Sequence, residues 1–377
     1  MNRLSRLTAA LTALAATAVL ATACSRAPEK PQEYKIGVVL ALTGRGATYG
    51  QESLNGIQLA VDEINEEAKK NGEPQVRIVV EDSQSEGPKT VEAFRRLIDQ
   101  EKIFVAVGFT LSDEALSAAP LAEQRKVILF SPSASSDDLK NAGEYVFRNR
   151  ESAALHAETV AKAAVQRFGR KTILVLHSNS ANGISYRDTF VNSVARMGSP
   201  IPVTIGYDEG KSDYRQEIEE LQAKNPDAVY LVGLDKELAL IVKQAYEMGF
   251  KPQLFASAGA MSPRFLETAG AEAEGLICAG SPFNLESKEP HVEQFVRKYR
   301  ERFGMEPEYF SATSYDAIRI IAGMMKEGVM DSDAMKARLL TIKDYPGVGG
   351  STTFDEYGEV TKPMDLVQVK GGKFQRL

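Results

Sequence analysis

The sequence is short of the residues that build redox, metal and nucleic-acid sites. Only two cysteines occur in 377 residues, Cys24 and Cys278. Cys24 ends a segment with the features of an export signal, and one remaining thiol closes no intrachain disulfide and makes no cysteine cluster for a metal. Cys278 lies in the apolar run GLICAG, which predicts a buried, inert thiol. The three histidines, His156, His177 and His291, stand far apart and match no zinc spacing, so no metal site is expected. Positive charge is never blocked together. The net charge is −6, and pairs such as Arg95–Arg96 and Lys69–Lys70 sit among acids on helix-patterned segments. That balance argues against a nucleic-acid partner. Beyond Cys24 no apolar run is long enough to cross a bilayer. No G-x-S-x-G elbow, H-E-x-x-H or kinase signature appears, so neither a catalytic residue nor a cofactor is expected.

What is present begins with a leader. Arg3 and Arg6 precede the Ala-rich stretch LTAALTALAATAVLATA, which closes in LATAC at Leu20–Cys24. A positive start, a short apolar stretch and small residues make an export signal. Small residues before a cysteine resemble the lipobox of bacterial lipoproteins, where the cysteine is diacylated and becomes the new N-terminus. Residues 1–23 are thus expected to be a lipoprotein signal peptide, with Cys24 lipidated. Residues 24–33, CSRAPEKPQE, read as a polar tether. The expectation is a body anchored by lipid to a membrane, in the periplasm or at the cell surface.

From Tyr34 to about Asn284, short apolar runs such as YKIGVVLAL, VRIVVEDS and TILVLHS alternate with helical patterns. In 54–68, Leu54, Ile57, Val61, Ile64 and Ala68 recur at three- or four-residue steps, which makes an apolar helix stripe. Runs that are apolar without strict alternation suit parallel strands covered on both faces. The pattern predicts βαβ units in a doubly wound α/β fold. It also occurs twice: YKIGVVLALTGRGATYGQESLNGIQLAVDEI is echoed by KTILVLHSNSANGISYRDTFVNSVARM. Two similar lobes follow, with a seam near Arg148–Ser152. After Asn284 come helices expected at 289–303, 309–328 and 332–343, then short strands around STTFD and MDLVQVKGGKF. The expected division is 34–150 plus 283–350 for the N-terminal lobe and 151–282 plus 351–377 for the C-terminal lobe.

The strands end in small and hydroxyl residues, as in SQSEG, FTLSD, SPSAS, HSNSANG and SAGAMS. In open α/β sheets ligands bind beyond the carboxyl ends of the strands. Single Ser and Thr residues there also serve as helix N-caps. The loop GRGATYGQESLNG tests the nucleotide option. Gly44 and Gly46 fit a G-x-G-x-x-G fingerprint, but Tyr49 takes the third glycine position and Gly50 follows one residue late. The P-loop lysine is missing as well. A nucleotide loop is therefore not expected, and Tyr49 becomes the residue of interest.

The segments YKIGVVLALTGRGATYGQESLNGIQLAVDEIN, EDSQSEGPKTVEAFRRLID, VGFTLSDEALSAAPLAEQRKVILFSPSAS and FSATSYDAIRIIAGMM resemble the branched-chain amino acid (Leu/Ile/Val) type of periplasmic solute-binding protein. These are type I binding proteins of ABC importers, and the resemblance runs from about Tyr34 to the C-terminus. It implies two Rossmann-like lobes joined by a three-segment hinge, a monomer that clamps a small ligand by hinge closure, and ABC permease subunits as partners. It also implies site positions. Tyr49 lines the cleft. Ser112 binds a ligand carboxylate, with Thr110 close by in GFTLSD. Ser133, Ala134 and Ser135 supply backbone and hydroxyl contacts, and Tyr186 closes over the ligand. Two further positions depart from the family. Leu234, followed by Asp235, stands where amino-acid binders have a cleft tyrosine. Ala258 stands where they have the glutamate that pairs with the ligand's α-ammonium. A buried ammonium without a carboxylate costs on the order of several kcal/mol. Either Asp235 or Asp316 substitutes, or the ligand lacks an ammonium; a small acid or amide is the preferred expectation. The alternative on the same fold is a non-transport ligand sensor or envelope regulator.

Overall fold

A computed structural model describes residues 32–377; the leader, Cys24 and most of the tether lie outside the described residues. Strands β1 (Glu33–Leu40), β2 (Gln75–Asp82), β3 (Val105–Gly108), β4 (Ile128–Ser131) and β5 (Val146–Arg148) form one parallel sheet in the order β2-β1-β3-β4-β5. Strands β6 (Ile173–Ser178), β7 (Val203–Tyr207), β8 (Ala228–Val232), β9 (Gln253–Ala256) and β10 (Ile277–Gly280) repeat that order as β7-β6-β8-β9-β10. Antiparallel β11 (Asp365–Lys370) and β12 (Lys373–Arg376) extend the second sheet past β10. The central strands β3, β4, β6, β8 and β10 are buried throughout. This is what apolar runs without alternation require when helices cover both faces.

Helices α1 (Ala47–Asn71), α2 (Gly87–Asp99) and α3 (Ser112–Arg125) connect the first sheet; α4 (Ala153–Lys162), α5 (Ala181–Arg196), α6 (Arg215–Ala223), α7 (Asp235–Glu247) and α8 (Pro263–Ala269) serve the second. Then α9 (Pro290–Phe303), α10 (Tyr309–Lys326) and α11 (Ser332–Leu339) return to the first lobe. Phe295, Tyr299, Ile318 and Ile321 pack there in one core with Leu40, Ile57 and Ile64. Cys278 is buried in the second core, where burial pushes its thiol up.

The chain crosses between lobes three times: after β5, after β10, and between Val360 and β11. Three details differ from the sequence expectation. Val146–Arg148, not among the expected strands, is a strand; its three residues are too few to show a period. The last crossing also falls later than residue 350. Phe354 sits in the first core, edge-on to Phe130 and Phe147 at 5.9 and 5.8 Å, with Val360 beside it. Burying that ring holds 351–360 on the first lobe. The STTFD segment forms only isolated bridges, Tyr345 to Thr352 and Phe354 to Val360.

Candidate functional site

Each sheet changes winding direction between its first and third strands, and the residues after those strands face one another. In the first lobe, Gly108 (φ 126°) and Phe109 (φ 55°) turn the chain sharply after β3. A Cβ on Gly108 would lie 2.1 Å from the Val39 carbonyl oxygen, so only glycine allows this approach. The turn delivers Thr110, whose hydroxyl accepts the Ala41 N–H at 3.0 Å, and Ser112 at the start of α3. Ser112 Oγ in turn accepts the Ser135 and Ser136 N–H groups at 3.2 and 3.0 Å, which fixes the SPSAS loop against α3.

Amides in and just before the Gly44–Gly46 loop are engaged by side chains. Asp82 accepts the Leu42 and Thr43 N–H groups at 2.9 and 3.2 Å, and Ser85 Oγ accepts the Gly46 N–H at 3.0 Å. Gly50 supplies the close helix–strand contact one residue late: a Cβ there would stand 1.9 Å from the Ala41 carbonyl oxygen. Gly183 does the same against Ser178 in the second lobe, at 2.1 Å.

Between the lobes lies a narrow cavity of about 40 Å³, partly open to solvent. Tyr49, Thr110 and Ser112 line it, as do Ser133, Ala134, Ser135 and Tyr186. Leu234, Asp235 and Ala258 do not; the wall near the last is Gly259. Asp235 lies behind Tyr49. Its backbone N–H donates to the Tyr49 hydroxyl at 2.9 Å, and its carboxylate is 4.0 Å from Arg264. Asp316 is also excluded as an ammonium partner, because its buried carboxylate accepts the Val348 and Gly349 N–H groups, each at 2.8 Å. Burial raises its pKa to about 6.

The cleft is closed. First-lobe groups cap second-lobe helices: Asp113 accepts the Ala181 N–H at 3.1 Å, and Tyr49 accepts that of Asp235. Ser135 Oγ donates to Asn182 Oδ1 at 2.7 Å, and the Ser136 and Ser185 hydroxyls meet at 2.9 Å. Arg45 pairs with Asp113 at 3.0 Å and reaches across to Glu209; Arg264 reaches Thr48. Tyr49 stacks edge-on against Phe310 at 5.1 Å. Burial holds both the Tyr49 and Tyr186 phenols up in pKa, so both are neutral donors.

Sequence reasoning missed Arg45, Arg150, Asn182, Glu209 and Phe310 in the wall. Asn182 was within reach, inside the strand-end segment HSNSANG. Arg150 carried only a weak signal, a second arginine in FRNRESAAL. Phe310 carried none, since it arrives on α10 from far along the chain. Among the described residues no cluster of His, Cys, Asp and Glu is arranged to hold a metal, and no helix is long and apolar enough to cross a membrane.

The model of a family described as periplasmic binding protein matches residues 33–373. The chain belongs to the periplasmic binding protein family. It is 26% identical over 363 residues to the Leu/Ile/Val-binding protein BraC3 of Rhizobium johnstonii, covering 95% of this chain and 97% of that one. Among solved structures, the leucine-binding protein LivK of Thermotoga maritima superposes with a TM-score of 0.83 at 27% identity, over 91% of this chain and 97% of that one. LivJ of Streptococcus pneumoniae, solved with isoleucine, gives 0.81 at 26%, over 91% and 98%. This periplasmic binding protein therefore shares the type I fold of those relatives, which are substrate-binding proteins rather than enzymes.

Proposed function

We propose that this periplasmic binding protein captures a small polar solute, of the amino-acid, small-acid or amide class, and delivers it to the permease of an ABC importer. The observation that carries the reading is the interlobe cavity, whose hydroxyl-rich wall comes from both lobes and whose closure is held by hydrogen bonds between them. Such a clamp works by hinge closure: the solute replaces water on the first lobe, and the second lobe shuts over it. The closed form is what a permease engages. The absence of a carboxylate at Ala258 and Gly259 favours an acid or amide over an α-amino acid. The lipid anchor at Cys24 would keep the receptor at the membrane.

The reading is tested by denaturing natively purified protein and identifying the released solute by mass spectrometry. That solute should raise the melting temperature of the refolded chain, and cells lacking the chain should lose its uptake. An unimpaired uptake with intact binding would favour a sensor over a transporter. Replacing Cys24 by Ala should abolish labelling by a fatty-acid analogue; retained labelling removes the anchor.

A further inference from the structure

The cavity wall offers hydrogen-bond donors that find no acceptor. Arg150 Nε, Ser133 Oγ and Tyr186 Oη are buried, line the cavity and have no hydrogen-bond partner among the described residues. Ser112 Oγ accepts two backbone N–H groups, which leaves its own hydrogen free. Arg150 decides the matter. It is 7% exposed, donates through Nη1 to the Ser133 carbonyl, and lies 5.0 Å from the Phe310 ring centre. No carboxylate pairs with it among the described residues. Its chain neighbour Glu151 accepts the Tyr309 hydroxyl at 2.7 and 2.6 Å instead. The acids of the cavity wall, Asp113 and Glu209, are both engaged by Arg45.

A guanidinium cannot shed its proton, and a buried charge without a partner is costly. A carboxylate is the complementary group: it brings the missing charge and accepts hydrogen bonds only. An ammonium would bring a second positive charge beside Arg150 and no acceptor for its free donors. We infer that the solute is a carboxylate anion without an ammonium group, with Arg150 as its counter-charge. Ser112, Ser133 and Tyr186 complete the cradle. The apolar body of the solute packs against Leu111, Tyr49 and Phe310, which line the same space. This rests on the solute-binding reading above and narrows it to one charge class.

The test is calorimetry on refolded, ligand-free protein with matched probes: 4-methylpentanoate, L-leucine and 4-methylpentanamide, and likewise benzoate and benzamide. One of the carboxylates should bind at least about tenfold more tightly than its matched zwitterion or amide. Arg150→Gln should weaken that carboxylate roughly 10- to 100-fold, the range of a charge-assisted hydrogen bond, and leave amide binding little changed. Arg150→Lys should recover part of the loss. The ranking of probes on the wild-type chain needs no variant, so a poorly folding substitution does not obscure the answer. Tighter binding of L-leucine than of 4-methylpentanoate, or a zwitterionic solute released from the native protein, would overturn the inference and leave the solute-binding reading standing. Binding of no probe, with no solute released, would overturn both.

Discussion

At the residue scale, Tyr49 and Asp316 show how differently two buried side chains serve the molecule. The Tyr49 hydroxyl accepts the first amide of α7 from the opposite lobe, so it acts only when the cleft is shut. Tyr49→Phe should leave thermal stability of the unliganded chain almost unchanged and weaken ligand about fivefold, the worth of one hydrogen bond near 1 kcal/mol. Calorimetry against the released solute checks this. Asp316 lies within the first lobe and holds two loop amides. Asp316→Ala should cost about 2–3 kcal/mol in denaturant unfolding by leaving buried N–H groups without an acceptor. Ligand affinity should stay within about twofold, in contrast to what a role as ammonium partner would require. The strand-end segments that hold Ser112, Ser133 and Ser135 were legible from composition, and the family resemblance picked out the individual serines. Arg150 was not legible, because nothing in its spacing tells a cleft arginine from a solvated one.

At the element scale, three helix ends bring acids together behind Tyr49. Glu52 comes from α1, Glu308 precedes α10, Asp235 opens α7 across the cleft, and Arg264 and Glu267 of α8 stand near. Burial, then the Asp235 charge, raises Glu308 to about 7, with Arg264 opposing. Burial and the Glu308 and Asp235 charges hold Glu52 well above the carboxylate range, again against Arg264. A carboxyl with a raised pKa in the closed form binds its proton more tightly there than in the solvated open form. Closure is then favoured at acid pH and loses support as pH climbs from the usual 4.5 through about 7. Ligand affinity should fall over that window, by up to about tenfold per pH unit for each coupled proton. Glu308→Gln should flatten the profile, which a pH series of dissociation constants reads directly. The long helices were legible from periodicity and the buried strands from unbroken apolar runs. The strand Val146–Arg148 and the bridged segment 351–360 were not, because each is placed by contacts with distant residues such as Phe130 rather than by its own pattern.

At the scale of the whole molecule, the two lobes are tied by bonds that exist only in the closed arrangement, Arg45 to Glu209 and Ser135 to Asn182 among them. Solute-free protein should have a larger radius of gyration than solute-bound protein in X-ray scattering. Arg45→Ala should shift the solute-bound sample toward the open value and speed dissociation severalfold. The effect is modest because Arg45 is partly exposed and screened. The sequence alone was enough for the two-lobed α/β plan and the ring of small polar residues at the strand ends. Those follow from local periodicity and composition, which act over neighbouring residues. Tertiary structure alone decided that Asp235 and Asp316 face away from the cavity, that Phe310 and Arg150 face into it, and that the last crossing waits until Phe354 is buried. Each of these depends on which surfaces meet across the fold, and the chain order does not encode that distance.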